Sequence, residues 1–268
     1  MLRVSVVIIT FNEGSNIVDC IRSAQQISDD IVVVDSGSDD NTVALARQNG
    51  AKTFCIEWQG YGFSRNFGAR QARHSWIFSL DADERITPAL ASAVQKLHIT
   101  DNNLLIKFRR ENFIGNKKIR FGTPGFETIT RFYNRDTYVW DNTLVHEKLI
   151  APKATKKLIP GSILHYGRKN YEEFKNKSDL YAQMSAEKYA LEGRNAGYAK
   201  RLLSPLFNSI KSYFFQLGFL DGKLGFLIAV NIASYSWLKY FYLQQLYSEE
   251  KKDEKSFRDQ RNIETASS

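Results

Sequence analysis

The alternation of short β-branched runs with helically spaced stretches constrains this chain more than any other feature. "RVSVVIIT" is a continuous apolar run, the pattern of a strand buried on both faces. "NIVDCIRSAQQI" then sets Ile17, Cys20, Ile21 and Ala24 at helical spacing. "DIVVVDSGS" reads as a second buried strand ending in turn residues. "DDNTVALARQNG" reads as a helix opened by acidic and Asn caps and closed by Gly50. "KTFCIEW" and "WIFSL" are further strands on either side of a helix in "GFSRNFGARQA". Strands alternating with short helices predict an α/β domain with a mostly parallel central sheet and flanking helices.

Beyond Pro88 the pattern changes. "NLLIKFRRENFI" and "TITRFYNRD" read as strands of a more irregular, partly antiparallel region, and a long helix follows near Tyr171–Glu192. From Leu202 to Leu246 aromatic and aliphatic residues dominate nearly all round. After Ser248 the mixed-charge composition reads as a disordered tail. The expected organisation is an α/β domain over 1–200, an aromatic helical segment over 201–247 and a charged tail over 248–268. The longest uncharged run in the aromatic segment, Leu224–Leu238, falls short of the roughly 18–20 apolar residues that a spanning helix needs. The apolar run at the N-terminus is likewise too short for a signal peptide.

The net charge of +8 favours an anionic partner, without choosing among nucleic acid, a membrane surface and phosphorylated small molecules. The positive charge is spread along the chain with no RNP-type or helix-turn-helix signature, so nucleic acid is not expected. Cys20 and Cys55 form no C-x-x-C pair, which excludes a zinc knuckle, and both read as reduced core thiols.

Against this basic background, "WIFSLDADER" crowds Asp81, Asp83 and Glu84 at the end of an apolar strand. Like charges this close repel, and each resists desolvation. In an open parallel sheet, ligands bind beyond the carboxyl ends of the strands. Three such ends carry polar groups here: Thr10, Asn12 and Glu13; Asp35, Ser36 and Ser38; and Asp81 with Asp83. One acid at a strand end reads as a cap or turn, whereas three ends together read as the rim of a site. In extended chain Asp81 and Asp83 point to one side. A hard divalent cation between them would relieve their repulsion. "QGYGFSRNFG" imitates a dinucleotide fingerprint, but Arg65 takes the third glycine position and the first strand ends in "TFNEG". A nicotinamide or flavin site is therefore excluded.

Together, "SVVIITFNEGSNIVDCIRS", "DIVVVDSGSDDNT", "GYGFSRNFGAR" and "SLDADER" resemble the family-2 glycosyltransferases of the GT-A fold. "RFYNRD", "LVHEKL" and "ILHYGRKNYEEF" resemble one branch of them, the β-1,4-glucosyltransferases that build the lipopolysaccharide inner core. The resemblance covers residues 4–195 and, more loosely, the aromatic segment. It implies the GT-A nucleotide-diphospho-sugar transferase fold. It also implies inverting transfer of a hexose, glucose in that branch, from a UDP-sugar to a heptose of the core, with a divalent metal ion, Mg or Mn.

The resemblance further implies roles. Thr10, Asn12, Glu13 and Asp35, with Ser36 beside them, would hold the uracil and ribose, and Arg65 would pack against uracil or the phosphates. Asp81 would contact ribose and Asp83 would ligate the metal, with His165 as a further metal or diphosphate ligand. The base that takes the acceptor's proton is Glu147, Asp141 or Glu127, of which Glu147 matches the branch motif; His146 would orient the acceptor or a phosphate. A lipid-A-linked acceptor, together with the aromatic and basic residues of 201–247, implies peripheral attachment to an anionic membrane surface. By the same resemblance that surface would be the cytoplasmic face of the bacterial inner membrane; the alternative is that these helices pack against the catalytic domain. A sugar nucleotidyltransferase also uses an α/β sheet, a metal and carboxylates, but "TFNEGSN" lacks the basic residue of its Gly-rich loop.

Overall fold

The period of two along β1 (Val4–Thr10) sorts the core into two layers. Val4, Val6 and Ile8 face one side, where α1 (Ile17–Ala24) and α4 (Pro88–Gln95) cover them with Ile17, Ile21, Leu90 and Val94. Val7 and Ile9 face the other side and pack with Val32, Val34 and Ala69. A strand covered on both faces admits few polar residues until it ends, and those it holds are hydrogen-bonded, as Ser5 is to Asp30; this is why the apolar runs read so clearly in the sequence.

The computed structural model describes residues 3–141, 143, 147–194 and 197–266, with 250–266 as backbone alone. The chain forms two compact units, Met1–Lys169 and Asn170–Ser268.

The first unit is an α/β fold around a nine-stranded sheet of order β3-β2-β1-β4-β8-β6-β9-β5, with β7 paired to β6. β2 (Asp30–Asp35), β3 (Lys52–Cys55) and β4 (Trp76–Asp81) join β1 in a parallel block. Beyond β4 the sheet is mixed, and includes β5 (Glu84–Ile86), β6 (Leu104–Ile114), β7 (Lys117–Lys118), β8 (Thr128–Asn134) and β9 (Thr155–His165). β8 runs antiparallel to both β4 and β6, β9 runs parallel to β6, and β5 closes the far edge antiparallel to β9. The α/β expectation holds, with strict parallelism confined to the first four strands in space. β3 is an edge strand, so Cys55 is exposed rather than in the core; Cys20 is buried as expected. Pro88 does not merely break a pattern. It sits in the first turn of α4, where Thr87 accepts a hydrogen bond from the Leu90 N–H at 3.3 Å.

α2 (Thr42–Gln48) and α3 (Tyr61–Gln71) complete the first unit. α3 lies close on the sheet because Gly68 faces it. A Cβ there would stand 2.4 Å from Val7 Cγ1 and 2.8 Å from Val34 Cγ2. This approach sets the depth of Arg65, one turn earlier on the same helix face.

The second unit is helical. α5 (Tyr171–Leu191) is capped by Asn170, whose side chain accepts from the Glu173 N–H at 2.8 Å. This helix, read from sequence with the first domain, belongs to the second unit. α6 (Tyr198–Ile210) continues into a π-helical turn over Lys211–Phe215, then a 3-10 turn over Gly218–Asp221 and α7 (Gly222–Ala266). The charged stretch after Ser248, expected to be disordered, continues α7 to Ala266. Glu, Lys, Gln and Arg are good helix formers, and low apolar content shows where a segment is solvated rather than whether it is helical.

Gly68→Ala forces a methyl group into the Val7–Val34 contact. It is expected to cost about 1–3 kcal/mol and to lower the thermal midpoint by several degrees, measured by circular dichroism melting.

Candidate active site

The acids at the end of β4 are neutralised by arginines from three other elements. Asp81 Oδ1 accepts from Arg65 Nη2 at 2.6 Å, and its Oδ2 accepts from Arg131 Nη2. Arg131 also donates to Glu84 Oε1 at 3.0 Å, and Arg110 reaches the same oxygen at 3.4 Å. Arg110 then holds Glu127 through two hydrogen bonds, at 2.6 and 3.0 Å. Glu84 itself is fully buried, and its other oxygen accepts from the Asp81 N–H at 3.0 Å. Arg65 comes from α3, Arg131 from β8 and Arg110 from β6, so the network ties the parallel block to the mixed half of the sheet.

Buried charges persist only when paired and hydrogen-bonded. Burial alone would push the Asp81 carboxyl up, but Arg131 and then Arg65 hold it well below the usual carboxylate range. Burial likewise opposes the charge on Arg131, which Asp81 and Glu84 more than restore. Glu127 follows the same pattern, raised by burial and lowered further by Arg110. Arg110 and Arg131 were missed in the sequence. The available signal was an arginine inside "TRFYN", flanked by aromatic strand residues and needing an acid partner.

Arg65 is the junction of the site. It is 2% exposed, and its three donor nitrogens reach Ser79 Oγ at 2.6 Å, Asp81, and Glu147 Oε1 at 3.1 Å. The ring of Trp140 lies 5.1 Å from its guanidinium carbon. Arg65 thus makes its hydrogen bonds within the protein, held at this depth by α3.

The D-A-D segment is also corrected. Residues 82–83 form the turn between β4 and β5, so the two aspartates do not share one side of an extended chain. Asp81 turns to the arginines, whereas Asp83 Oδ2 lies 3.4 Å from His165 Nε2. Pairing of β5 with β9 sets Glu84 opposite His165 and brings these groups together. Asn112 Nδ2 donates to Pro124 O and Glu127 Oε2, which turns its Oδ1 to His165 Nδ1 at 2.6 Å. An amide oxygen only accepts, so Nδ1 carries the proton and Nε2 faces Asp83.

The ends of β1 and β2 are brought together by their register, Thr10 opposite Asp35. Asp35 is buried and folds its own turn. Its Oδ1 accepts from the N–H groups of Gly37 at 3.0 Å and Ser38 at 2.8 Å, and the Ser38 hydroxyl donates to Oδ2. The Ser36 N–H donates to Thr10 O at 3.0 Å. Asn12 adopts a left-handed conformation, φ 53°, and clasps the second loop. Its N–H donates to Ser38 Oγ at 2.8 Å, and its Oδ1 accepts from the Asp39 N–H at 3.0 Å. The Glu13 N–H donates to Thr42 Oγ1 at 2.8 Å, and its carboxylate accepts from Asn16 at 2.7 Å. The Thr10 hydroxyl is buried at this junction with no hydrogen-bond partner among the described residues.

The three base candidates separate. Glu127 is fixed bidentate to Arg110. Asp141 Oδ1 accepts from the Thr143 hydroxyl at 2.7 Å in a local turn. Glu147 is held, among the described residues, by its one ion pair to Arg65. His146 lies outside the described residues.

The depressed carboxyls make stability depend on pH with a definite sign. Asp81 and Glu127 contribute stability above the ordinary carboxylate range, near pH 4, and lose it as pH falls through their lower folded values. The urea midpoint is expected to be flat around neutrality and to fall steeply in acid. Arg131→Met leaves buried charge uncompensated and should remove about 3–5 kcal/mol at neutral pH. The same variant should show a shallower acid limb, because Asp81 then holds its proton more readily in the folded state.

Comparison with known proteins bears on the same residues. The model of Glycosyl transferase family 2 matches residues 5–154. An uncharacterized glycosyltransferase of Rickettsia prowazekii is 27% identical over 263 residues, covering 92% of this chain and 88% of the relative. The lipopolysaccharide core biosynthesis glycosyltransferase LpsC of Rhizobium meliloti is 28% identical over 251 residues, covering 88% and 90%. Among solved structures, S. aureus TarS 1–349 aligns over 91% of this chain and 92% of that one, at 16% identity and a TM-score of 0.44. A glucosyl-3-phosphoglycerate synthase from Mycobacterium tuberculosis aligns over 72% and 81%, at 16% identity and a TM-score of 0.49. The family match spans more than half of the chain and includes Arg65, Asp81, Arg131 and Glu147, and the chain belongs to glycosyltransferase family 2.

Proposed function

We propose that this glycosyltransferase moves a hexose, glucose in the simplest reading, from a UDP-sugar to a heptose of a lipopolysaccharide inner core, with inversion. The observation that carries the chemistry is the position of Arg65 between Asp81 and Glu147. The acceptor class rests on the likeness to LpsC.

The acceptor oxygen attacks the anomeric carbon, the bond from that carbon to the diphosphate oxygen breaks, and the acceptor proton passes to Glu147. A sugar hydroxyl is too weak an acid to attack without a base. Glu147 suits that role because one ion pair orients it, whereas Glu127 is locked by two hydrogen bonds from Arg110 and one from Asn112. Arg65 positions Glu147 and Asp81 at once, and so relates the base to the nucleotide side of the site. Uracil and ribose would lie at the β1–β2 ends, where the unpartnered Thr10 hydroxyl offers a donor and Asp35 and Ser36 shape the loop. Asn12 and Glu13 would act there by bracing the loops.

Asp83 and His165 are the residues that would hold a divalent ion, Mg or Mn. A carboxylate oxygen and an imidazole lone pair 3.4 Å apart repel unless a proton or cation lies between them. That distance also suits two neighbouring ligands at roughly 2.0–2.2 Å from one ion. Gly167 leaves room beside both atoms: a Cβ there would stand 2.5 Å from His165 Nε2 and 2.8 Å from Asp83 Oδ2. Among the described residues no third His, Cys, Asp or Glu joins them, which fits an ion completed by substrate phosphates and water. When bound, such an ion stabilises the charge growing on the departing diphosphate.

The decisive assay follows UDP release from several UDP-sugars, with deacylated lipopolysaccharide core as acceptor. Pyrophosphate release instead would convert the reading to a sugar nucleotidyltransferase. Glu147→Gln should lower kcat about 10²–10⁴-fold with little change in KM for the donor, while Asp141→Asn stays near wild type. The reverse pattern would move the base to Asp141. Gly167→Ala should weaken Mn binding in a titration followed by electron paramagnetic resonance; unchanged affinity would remove Asp83 and His165 from the ion site.

A further inference from the structure

The helical unit differs from a water-soluble bundle in what it exposes. Its exposed surface carries Leu202, Leu206, Phe207, Phe214, Phe215 and Leu220, with Phe215 79% and Leu202 68% exposed. Leu202, Leu206 and Ile210 recur at helical spacing, so they form one stripe along α6. The inward side mixes apolar Phe174, Ile228 and Leu243 with small and polar residues. Ser185, Ser212, Asn231 and Ser236 are buried. Asn231 donates to Ser178 Oγ at 2.7 Å, Asn208 to Ser236 Oγ at 3.1 Å, and Arg201 to Gln244 Oε1 at 2.8 Å. Where the chain turns, two glycines meet: a Cβ at Gly225 would stand 1.8 Å from the Gly218 carbonyl oxygen. Small residues and hydrogen bonds between helices, with large apolar residues outside, are the packing of helices solvated by lipid.

We propose that α6, the turns after it and the start of α7 form a re-entrant hairpin that enters one leaflet of an anionic bilayer without crossing it. No single helix among the described residues is long and apolar enough to span. The pair Tyr198–Phe215 and Gly218–Glu249, bent by 72°, passes the same test of length and composition together. The continuous helix Tyr198–Phe215 extends about 27 Å, short of the roughly 30 Å hydrocarbon core. The break between the helices meets the demand that lipid places on backbone polar groups. The Gln216 N–H donates to Lys211 O at 2.9 Å, and the Leu220 N–H donates to Leu217 O at 2.9 Å.

Charge decides between a bilayer and a second copy of the chain as the occupant of this face. Residues 198–223 hold Lys200, Arg201, Lys211 and Lys223 against the one acid Asp221. Two copies would bring these cations together, whereas anionic headgroups complement them while the long lysine stems reach past the apolar stripe. The inference gives a lipid-anchored acceptor a place to be met, and so rests on the proposed acceptor for its purpose. Its test uses no substrate and stands or falls separately.

The full chain is floated with vesicles of phosphatidylethanolamine and phosphatidylglycerol. The bound fraction should persist in high salt, because apolar insertion is not screened as surface charge is. Leu206→Ser combined with Phe207→Ser and Phe215→Ser should weaken binding about a hundredfold or more, from the loss of three large apolar side chains. These residues are exposed, so the variant should keep the wild-type circular dichroism spectrum and turnover on a soluble acceptor. As a second reading, Phe215→Trp should be quenched by lipids brominated on their acyl chains more than wild type is. Binding abolished by salt and untouched by the triple variant would overturn the proposal, as would absence of extra quenching. A lipid-indifferent dimer by light scattering that the triple variant converts to monomer would overturn it in favour of self-association.

Discussion

Everything in the catalytic unit depends on neutralising carboxylates that the sheet forces out of water. Asp81 and Glu84 follow a strand whose apolar residues are buried, and Glu84 has no exposed surface at all. In such a place an unpaired acid would take up a proton instead of keeping its charge. The fold answers with Arg65, Arg131 and Arg110, each from a different element and each bonded to more than one acceptor. The result is a rigid, charged floor on which polar groups keep fixed orientations.

The floor explains the division of labour above it. Asp81 and Glu84 are bound by arginines, whereas Asp83 lies beside His165 on one side and Glu147 rests on Arg65 on the other. Asn112 links the two regimes, since its amide bonds Glu127 through one end and His165 through the other. A side chain that fixes a histidine tautomer acts as surely as the histidine itself. The site proposed for glycosyl transfer would therefore be an extension of the packing, not a decoration on loops.

Much of this was legible in the sequence, and the reasons are physical. β1, β2 and β4 are covered on both faces, so their interiors are almost wholly apolar, with only the hydrogen-bonded Ser5 and Ser79 inside them. The acids stood out because they ended such runs. β9 was harder to see, since Lys156, Lys157, Pro160 and Gly161 interrupt its apolar pattern, and α4 was hidden by its small residues. The arginine partners were not legible because they depend on which strand lies beside which. Arg131 meets Asp81 only because β8 inserts next to β4, a pairing between segments some fifty residues apart that no local pattern encodes. The extended-chain reading of Asp81 and Asp83 failed for a local reason: residues 82–83 turn to start β5.

The late arrival of those arginines shapes how the chain can fold. A nascent chain ending near residue 100 would contain the whole parallel block, the acid rim and only Arg65 to oppose it. Arg110 follows on β6, then Arg131 on β8, and β5 finds its partner only when β9 emerges. The parallel block is thus electrostatically incomplete until the mixed half of the sheet has docked, which makes the unit through Lys169 one cooperative folding unit. Contacts so distant along the chain favour slow folding, with a partly built sheet exposed to chaperones in the interval. A fragment cut at the end of the repeating β/α pattern, the natural place to divide the sequence by eye, would be an intermediate and not a domain.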